Sequence, residues 1–482
     1  MKILFVSAEM APFAKVGGLA DVAASLPKAL KAIGHEVRVF MPGYGLLLED
    51  PSLRAEPVID QFFVRVNAAR FVKGTLYRSQ SGGTEVWSVD GEVNFRRARS
   101  SEHVYTFSRD DYLYFSQAAL EACQETGWIP DVVHCHDWHT GFIPAILREL
   151  KSGIWDNVPS VFTIHNLAYQ GEFGFDTLDA CGLPHSLYRP EMVEAYGSVN
   201  FLKTGAAFAD QVNTVSPNYA HEIQTPEFGC RLDGHMRYLH SQGRLHGILN
   251  GIDAEVWNPA TDPALPANYS AEDLQGKSAC RNHLVKLGGL TKASEGPILG
   301  MVTRLSNQKG FDLLLEAADR LFATGACLVV QGLGDPWASS QLRRLEAKYP
   351  GQVKFFELFD ADLAQQVYAG CDAFLMPSAF EPCGLGQMFA MRYGTVPVVR
   401  HTGGLADTVF DGHTGFTFSE QSGAALADAV ERCAATFRKA DRWRELVYAG
   451  MASDFSWSKS AQAYVQLYRL AVADRKFALS HA

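Results

Sequence analysis

The chain has 482 residues, 47% of them hydrophobic, more apolar material than one ordinary core needs and enough for two α/β domains. Against 43 basic residues stand 53 acidic ones, a formal charge of −10. No general field therefore draws the protein to nucleic acid, and any phosphate site has to be local.

The apolar start Ile3-Leu4-Phe5-Val6 meets Glu9 within three residues, too short for a signal-peptide core or a membrane span, so it reads as a first buried strand and no membrane partner is expected. Short runs rich in Val, Ile and Phe then alternate with helical patterns, the mark of βαβ units and a parallel sheet. The first series comprises strands at 3–7, 36–41, 132–135, 161–164 and 211–215, with helices near 18–32, 107–126 and 141–150. The second comprises strands at 298–303, 327–331, 353–356, 373–376 and 396–400, with helices near 311–323, 337–349, 362–369 and 385–393. Between them Pro259, Pro263 and Pro266 interrupt any long helix, which places a hinge near 245–252. At the end, Ala461, Tyr464, Val465, Tyr468 and Leu470 recur at helical spacing within 456–479, a helix that could pack on either domain.

The nine cysteines, Cys123, Cys135, Cys181, Cys230, Cys280, Cys327, Cys371, Cys383 and Cys433, lack CxxC spacing, which predicts reduced thiols and a cytoplasmic protein.

Several motifs sit where strands stop and helices start. Gly17-Gly18-Leu19-Ala20-Asp21 recurs as Gly403-Gly404-Leu405-Ala406-Asp407. Paired glycines at such a turn either ease a tight bend or let backbone N–H groups approach an anion, and Lys15 stands beside the first pair. Arg304-Leu305-Ser306-Asn307-Gln308-Lys309-Gly310 offers a guanidinium and an ammonium expected to converge as a diphosphate clamp above a sheet edge, with no metal required. Glu381-Pro382-Cys383-Gly384-Leu385-Gly386 places a carboxylate, expected to be exposed, beside another glycine-opened helix. The alternative for Arg304, Lys309 and Glu381 is an ordinary solvated helix start.

These residues, with His165-Asn166-Leu167-Ala168-Tyr169-Gln170-Gly171, Asn250-Gly251-Ile252-Asp253, Tyr393-Gly394-Thr395 and Thr402 to Val409, resemble bacterial glycogen synthases, a pattern the plant starch synthases share, from residue 1 to about 457. The resemblance implies a GT-B fold: two Rossmann-like doubly wound domains facing across a deep cleft, at 1–247 and 248–457, with a helix at 458–482 crossing back to the first. It implies retaining transfer of glucose from ADP-glucose to the end of an α-1,4-glucan, without cofactor or metal. It places Glu381 at the glucose ring, Arg304 and Lys309 at the phosphates, and the amides of Gly384 and Leu385 in the phosphate cradle. His165 then faces the donor sugar with Asp137, Asn166 and Asn250 around its hydroxyls. Lys15, Gly17, Gly18, Asp21, Trp138, Gln308, Phe359, Cys383, Gly386 and Gly404 complete the expected binding set.

Three positions depart from the family pattern. Gly386 replaces a usual threonine, Phe389 stands where the broader retaining GT-B pattern has a second glutamate, and Phe359 replaces a usual tyrosine, keeping stacking on adenine but losing a phenolic hydrogen bond. The cluster His134-Cys135-His136-Asp137-Trp138-His139 invites a zinc hypothesis, but strand alternation sends His134 and His136 to one face and Cys135 to the other. A nicotinamide oxidoreductase is disfavoured because the first turn lacks GxGxxG. An exported two-domain sugar-binding protein would have no need of the Arg304 and Lys309 pair.

Overall fold

The computed structural model describes residues 1–67, 69–91, 94–106 and 108–481. The chain forms two compact units, Met1–Gly251 with Trp457–Ala482, and Ile252–Ser456.

In the first unit a nine-stranded sheet runs, edge to edge, Leu245–Gly247, Gln211–Thr214, Ser160–Ile164, Val132–His136, Lys2–Val6, Glu36–Pro42, Thr84–Gly91, Phe71–Ser81, Glu56–Arg65. Neighbours are parallel as far as Thr84–Gly91, and the last two pairings are antiparallel. The central parallel strands are buried on both faces, which is why they read as short runs rich in apolar residues: Val132–His136 and Ser160–Ile164 are buried at every position. Lys2–Val6 lies in the middle, with the next strand on one side and Val132–His136 on the other. Strand order therefore reverses between these two, and the crevice at their carboxyl ends is where doubly wound sheets take ligands. Helices Gly18–Ala32, Arg109–Glu125 and Phe142–Glu149 occupy the expected stretches, although the expected start at Phe107 lies outside the described residues.

The antiparallel extension was not expected. Phe71–Ser81 alternates buried and exposed residues and joins Thr84–Gly91 through Gly82 and Gly83, both left-handed at φ 54° and 75°. A Gly-Gly pair between alternating runs is a two-residue hairpin signal that composition had carried all along.

Helix Trp457–Ser480 belongs to the first unit, where Trp457, Ala461, Tyr464, Leu467, Tyr468 and Ala471 enter the core. Its hydroxyls reach polar atoms of the sheet: Tyr468 Oη lies 2.9 Å from His134 Nδ1, and the Asn213 amide donates to Tyr464 Oη at 3.2 Å.

The second unit holds an all-parallel sheet in the order Val353–Phe356, Cys327–Gln331, Ile298–Val302, Ala373–Met376, Val396–Arg400, Phe416–Phe418. Here strand order reverses between Ile298–Val302 and Ala373–Met376. Beyond the prolines a helix forms at Gln275–Gly288 and carries the partly buried Lys277. The Lys277 ammonium bonds Ala369 O, Cys371 O, Tyr393 O and Thr395 Oγ1 at 2.9–3.3 Å, fixing the chain as it enters the Ala373–Met376 strand. No helix among the described residues is long and apolar enough to cross a membrane.

Candidate functional site

The reversal point of the second unit gathers the motifs read from sequence. The chain leaves Ile298–Val302 through Arg304, makes a short 3-10 turn at Asn307–Lys309, and starts helix Phe311–Ala323. It leaves Ala373–Met376 through Ser378 and Glu381 and starts helix Gly386–Arg392. The two loops are locked together. Gln308 Nε2 donates to Phe380 O at 2.9 Å, Ala379 N donates to Gln308 O at 2.8 Å, and Gly310 is left-handed at φ 71° with Pro377 O where a side chain would begin.

Glu381 is not the exposed carboxylate its loop position suggested. It is only 7% exposed, and its Oε2 accepts from Lys309 Nζ at 2.7 Å and Ser378 Oγ at 3.0 Å. A loop carboxylate is drawn inside because an ammonium and a hydroxyl replace its water. Lys309 thus pairs with Glu381, while Arg304 is exposed and has no side-chain partner among the described residues. Gly384 turns the chain at φ 69°, and the amides of Gly384, Leu385 and Gly386 find no acceptor among the described residues, so three N–H groups point out of a helix start. Cys383 is buried, and Gly404 packs directly on its carbonyl. A Cβ at Gly386 would lie 3.1 Å from the Phe374 ring and 3.4 Å from Tyr368 Oη, so aromatic side chains press on the space a threonine needs. Phe389 stacks on Trp257 at 3.7 Å and 19°. Phe359 is 74% exposed and follows Val353–Phe356, while exposed Leu333 follows the neighbouring strand. Leu333 was not singled out from the sequence, where one leucine after a strand carries no signal.

In the first unit Lys15 pairs with Asp21 at 2.6 Å at the surface, beside the Gly17-Gly18 helix start. Beneath them Glu9, overlooked in the sequence, accepts from the amides of Val16 and Gly17 at 2.7 and 2.8 Å. Asp137 ends Val132–His136 in the left-handed region at φ 57°, a conformation that costs a non-glycine residue about 1–3 kcal/mol and marks functional sites. Its carboxylate accepts from His165 N at 2.7 Å. Burial pushes the Asp137 carboxyl up to about 7, although the His165 and Asn166 amides pull the other way, and burial pushes the His165 imidazole down to about 3. Asn166 turns its side-chain oxygen to Ala168 N. Asn250 is buried with Oδ1 unpartnered among the described residues. Trp138 is packed in the core against Tyr112, His139 and Phe201 and covers Gly171, so it shapes the wall behind Asp137.

The His134–His139 cluster is largely committed to the fold. Both ring nitrogens of His134 have partners, Thr163 and Tyr468, and His139 stacks on Tyr105.

Two family models match the chain: "Starch synthase catalytic domain" over residues 2–238 and "Glycosyl transferases group 1" over 296–436. A glycogen synthase of Syntrophotalea carbinolica is 43% identical over 98% of this chain and 99% of its own, and glycogen synthase 1 of Methylococcus capsulatus is 44% identical over 98% and 97%. The catalytic domain of starch synthase IV from Arabidopsis thaliana, solved with ADP and acarbose, superposes with a TM-score of 0.89 at 36% identity, covering 98% of this chain and 99% of that one. A sucrose-phosphate synthase from Thermosynechococcus elongatus shares the fold at a TM-score of 0.62 and 20% identity, over 98% and 99% of the two chains. With kinship of that depth from end to end, the chain belongs to the bacterial glycogen synthase family and is a glucosyltransferase of GT-B fold.

Proposed function

We propose that the protein transfers glucose from ADP-glucose to the non-reducing end of an α-1,4-glucan with retention of configuration, releasing ADP, in the cytoplasm. The observation that carries this reading is the reversal point of the second unit, where Lys309 pairs with a buried carboxylate, the amides of Gly384–Gly386 stand without acceptors among the described residues, and exposed Arg304 follows the neighbouring strand. A diphosphate gains charge as the glycosidic bond breaks, and fixed cations and amides meet that charge without having to reorganise. Arg304 and Lys309 are assigned to the leaving diphosphate, Glu381 to the glucose ring, and Phe359 to the adenine face. Asp137, His165, Asn166 and Asn250 are assigned to sugar hydroxyls. Lys15 supplies a further cation beside the Gly17-Gly18 helix start, Asp21 holds that lysine, and Trp138 backs Asp137. The relative solved with ADP and acarbose supports a nucleotide-sugar donor and a glucan acceptor. Nine cysteines that form no disulfide, eight of them buried, suit a reducing compartment.

A covalent route through Glu381 would need a second carboxyl group about 5–5.5 Å away. The Phe389 position offers an aromatic ring stacked on Trp257 instead, and both partners of Glu381 Oε2 hold that oxygen in place. The reading favoured is therefore attack by the acceptor 4-hydroxyl on the leaving-group face, with a diphosphate oxygen taking its proton. ADP-glucose and UDP-glucose compared with a glycogen primer test it: ADP release with growth of α-linked chains is expected, and inert ADP-glucose or a β-linked product would overturn it.

A further inference from the structure

Behind His165 two buried histidines, His134 and His136, flank Cys135 on the strand Val132–His136, their rings 4.0 Å apart. The hydrogen bonds of His134 have a readable direction. Asn213 Oδ1 only accepts, so the Thr163 hydroxyl, 2.7 Å away, donates to it. That hydroxyl has only lone pairs left for His134 Nε2, also at 2.7 Å, so His134 carries its proton on Nε2 and its bare Nδ1 accepts from Tyr468.

His136 is different, because only one of its nitrogens is bonded. Nδ1 lies 2.9 Å from His165 Nε2, while Nε2 is buried without a partner among the described residues. Burial, with His134 and His165 alongside, holds His136 well below its ordinary pKa, so the ring is neutral and a single nitrogen bears the proton. A proton on Nε2 would leave a buried N–H unbonded, the defect proteins avoid most strongly. A proton on Nδ1 makes His136 a donor to His165 instead.

We propose that His136 is a positioning residue whose Nδ1–H donates to Nε2 of His165, fixing His165 as the Nδ1–H tautomer so that it offers an N–H, rather than a lone pair, to a sugar hydroxyl. His165 Nδ1 has no partner among the described residues, and its backbone N–H is held by Asp137, so the residue is anchored on its other two sides. The proposal rests on the assignment of His165 to the donor sugar. The outer partner of a working histidine sets its tautomer in the same way at metal sites, where its loss costs roughly 10–100-fold.

Two-bond nitrogen–proton correlation spectra of the full chain labelled with nitrogen-15 histidine test the idea, the His165 signal being identified by its loss in His165→Gln. The expected spectrum shows His165 neutral and protonated at Nδ1. In His136→Phe the signal moves to the Nε2–H form and kcat falls roughly 10–100-fold with the glucan KM unchanged. In His136→Asn, whose amide nitrogen stands near the lost Nδ1, both tautomer and turnover recover. A wild-type His165 protonated at Nε2 overturns the proposal without any variant having to fold. Equal losses in the Phe and Asn variants with the Nδ1–H form intact in both overturn it too, leaving His136 a packing role. Full turnover by His165→Gln removes the sugar-facing assignment of His165, yet leaves the tautomer result standing.

Discussion

Gly17 and Gly403 open turns of the same sequence, Gly-Gly-Leu-Ala-Asp, but the space around them is opposite. Gly17 has an ordinary extended conformation at φ −144°, and a Cβ built on it would meet nothing within 4 Å. Gly403 is left-handed at φ 47°, and its Cβ would fall 1.8 Å from Glu381 O, while that of Gly404 would fall 2.1 Å from Cys383 O. The first turn, held from below by Glu9, leaves room for something outside the chain. The second leaves room for the chain itself, acting as the mould for the loop that carries Glu381, to whose carbonyl Gly404 N donates at 3.1 Å. A repeated glycine pair therefore has two physical causes that the letters alone do not separate.

The largest effect is expected at the cation paired with the carboxylate this mould presents. Lys309→Gln should lower kcat roughly 10²–10³-fold, about 2.7–4 kcal/mol, by removing one preorganised charge from the leaving diphosphate. Kinetics with ADP-glucose varied at saturating glycogen decide: an unchanged kcat with only a raised KM would mean that Lys309 holds donor and transition state equally. Next, Gly404→Ala should destabilise the protein by about 1–3 kcal/mol, as overpacking does, and displace Glu381. A thermal melt as high as the parent's would show that the second turn is as roomy as the first.

The first unit keeps its strain at Asp137 rather than at its glycines, and this sharpens the contrast through pH. The folded state raises the Asp137 carboxyl to about 7, so it binds a proton there that the unfolded chain has released. The associated stability is full below the ordinary carboxylate range near 4 and is lost as pH rises through about 7. Denaturant titrations across that window should show a loss of about 1 kcal/mol, since the half-buried carboxylate keeps part of its hydration, and Asp137→Asn should flatten it. A parent profile that is flat from the start would remove Asp137 as the cause. The smallest change in stability belongs to Gly17→Ala, within about 0.5 kcal/mol, while the KM for donor rises. Marked destabilisation, or wholly normal kinetics, would erase the difference between the two turns.

Legibility followed the same division. Strands of the parallel sheets could be read because burial on both faces keeps them largely apolar, as at Cys327–Gln331. Glu56–Arg65 and Phe71–Ser81 escaped because they are half wet and break the apolar runs, and Thr84–Gly91, though mostly buried, carries polar residues along its length. Arg304, Lys309 and Glu381 were visible from their places just past strand ends. Their pairing was not, since Lys309 and Glu381 are 72 positions apart and only the sheet brings them together. Glu9 and His136 act entirely through partners that folding supplies, a backbone turn and a ring from the next strand, and neither leaves a mark in spacing. Lys277 is the extreme case, a cation whose acceptors lie 92 to 118 residues away.

Because Trp457–Ser480 closes the core of the first unit, the part of the molecule that emerges first from the ribosome is the last to be finished. At about 5–20 residues per second, the roughly 200 residues of the second unit take about 10–40 s to be made. Through that interval His134 and Asn213 wait without the tyrosine hydroxyls that satisfy them. A nascent chain is thus exposed for longest along its oldest strands, and a premature stop just after Ser456 would spare every proposed site residue yet leave the first unit unroofed.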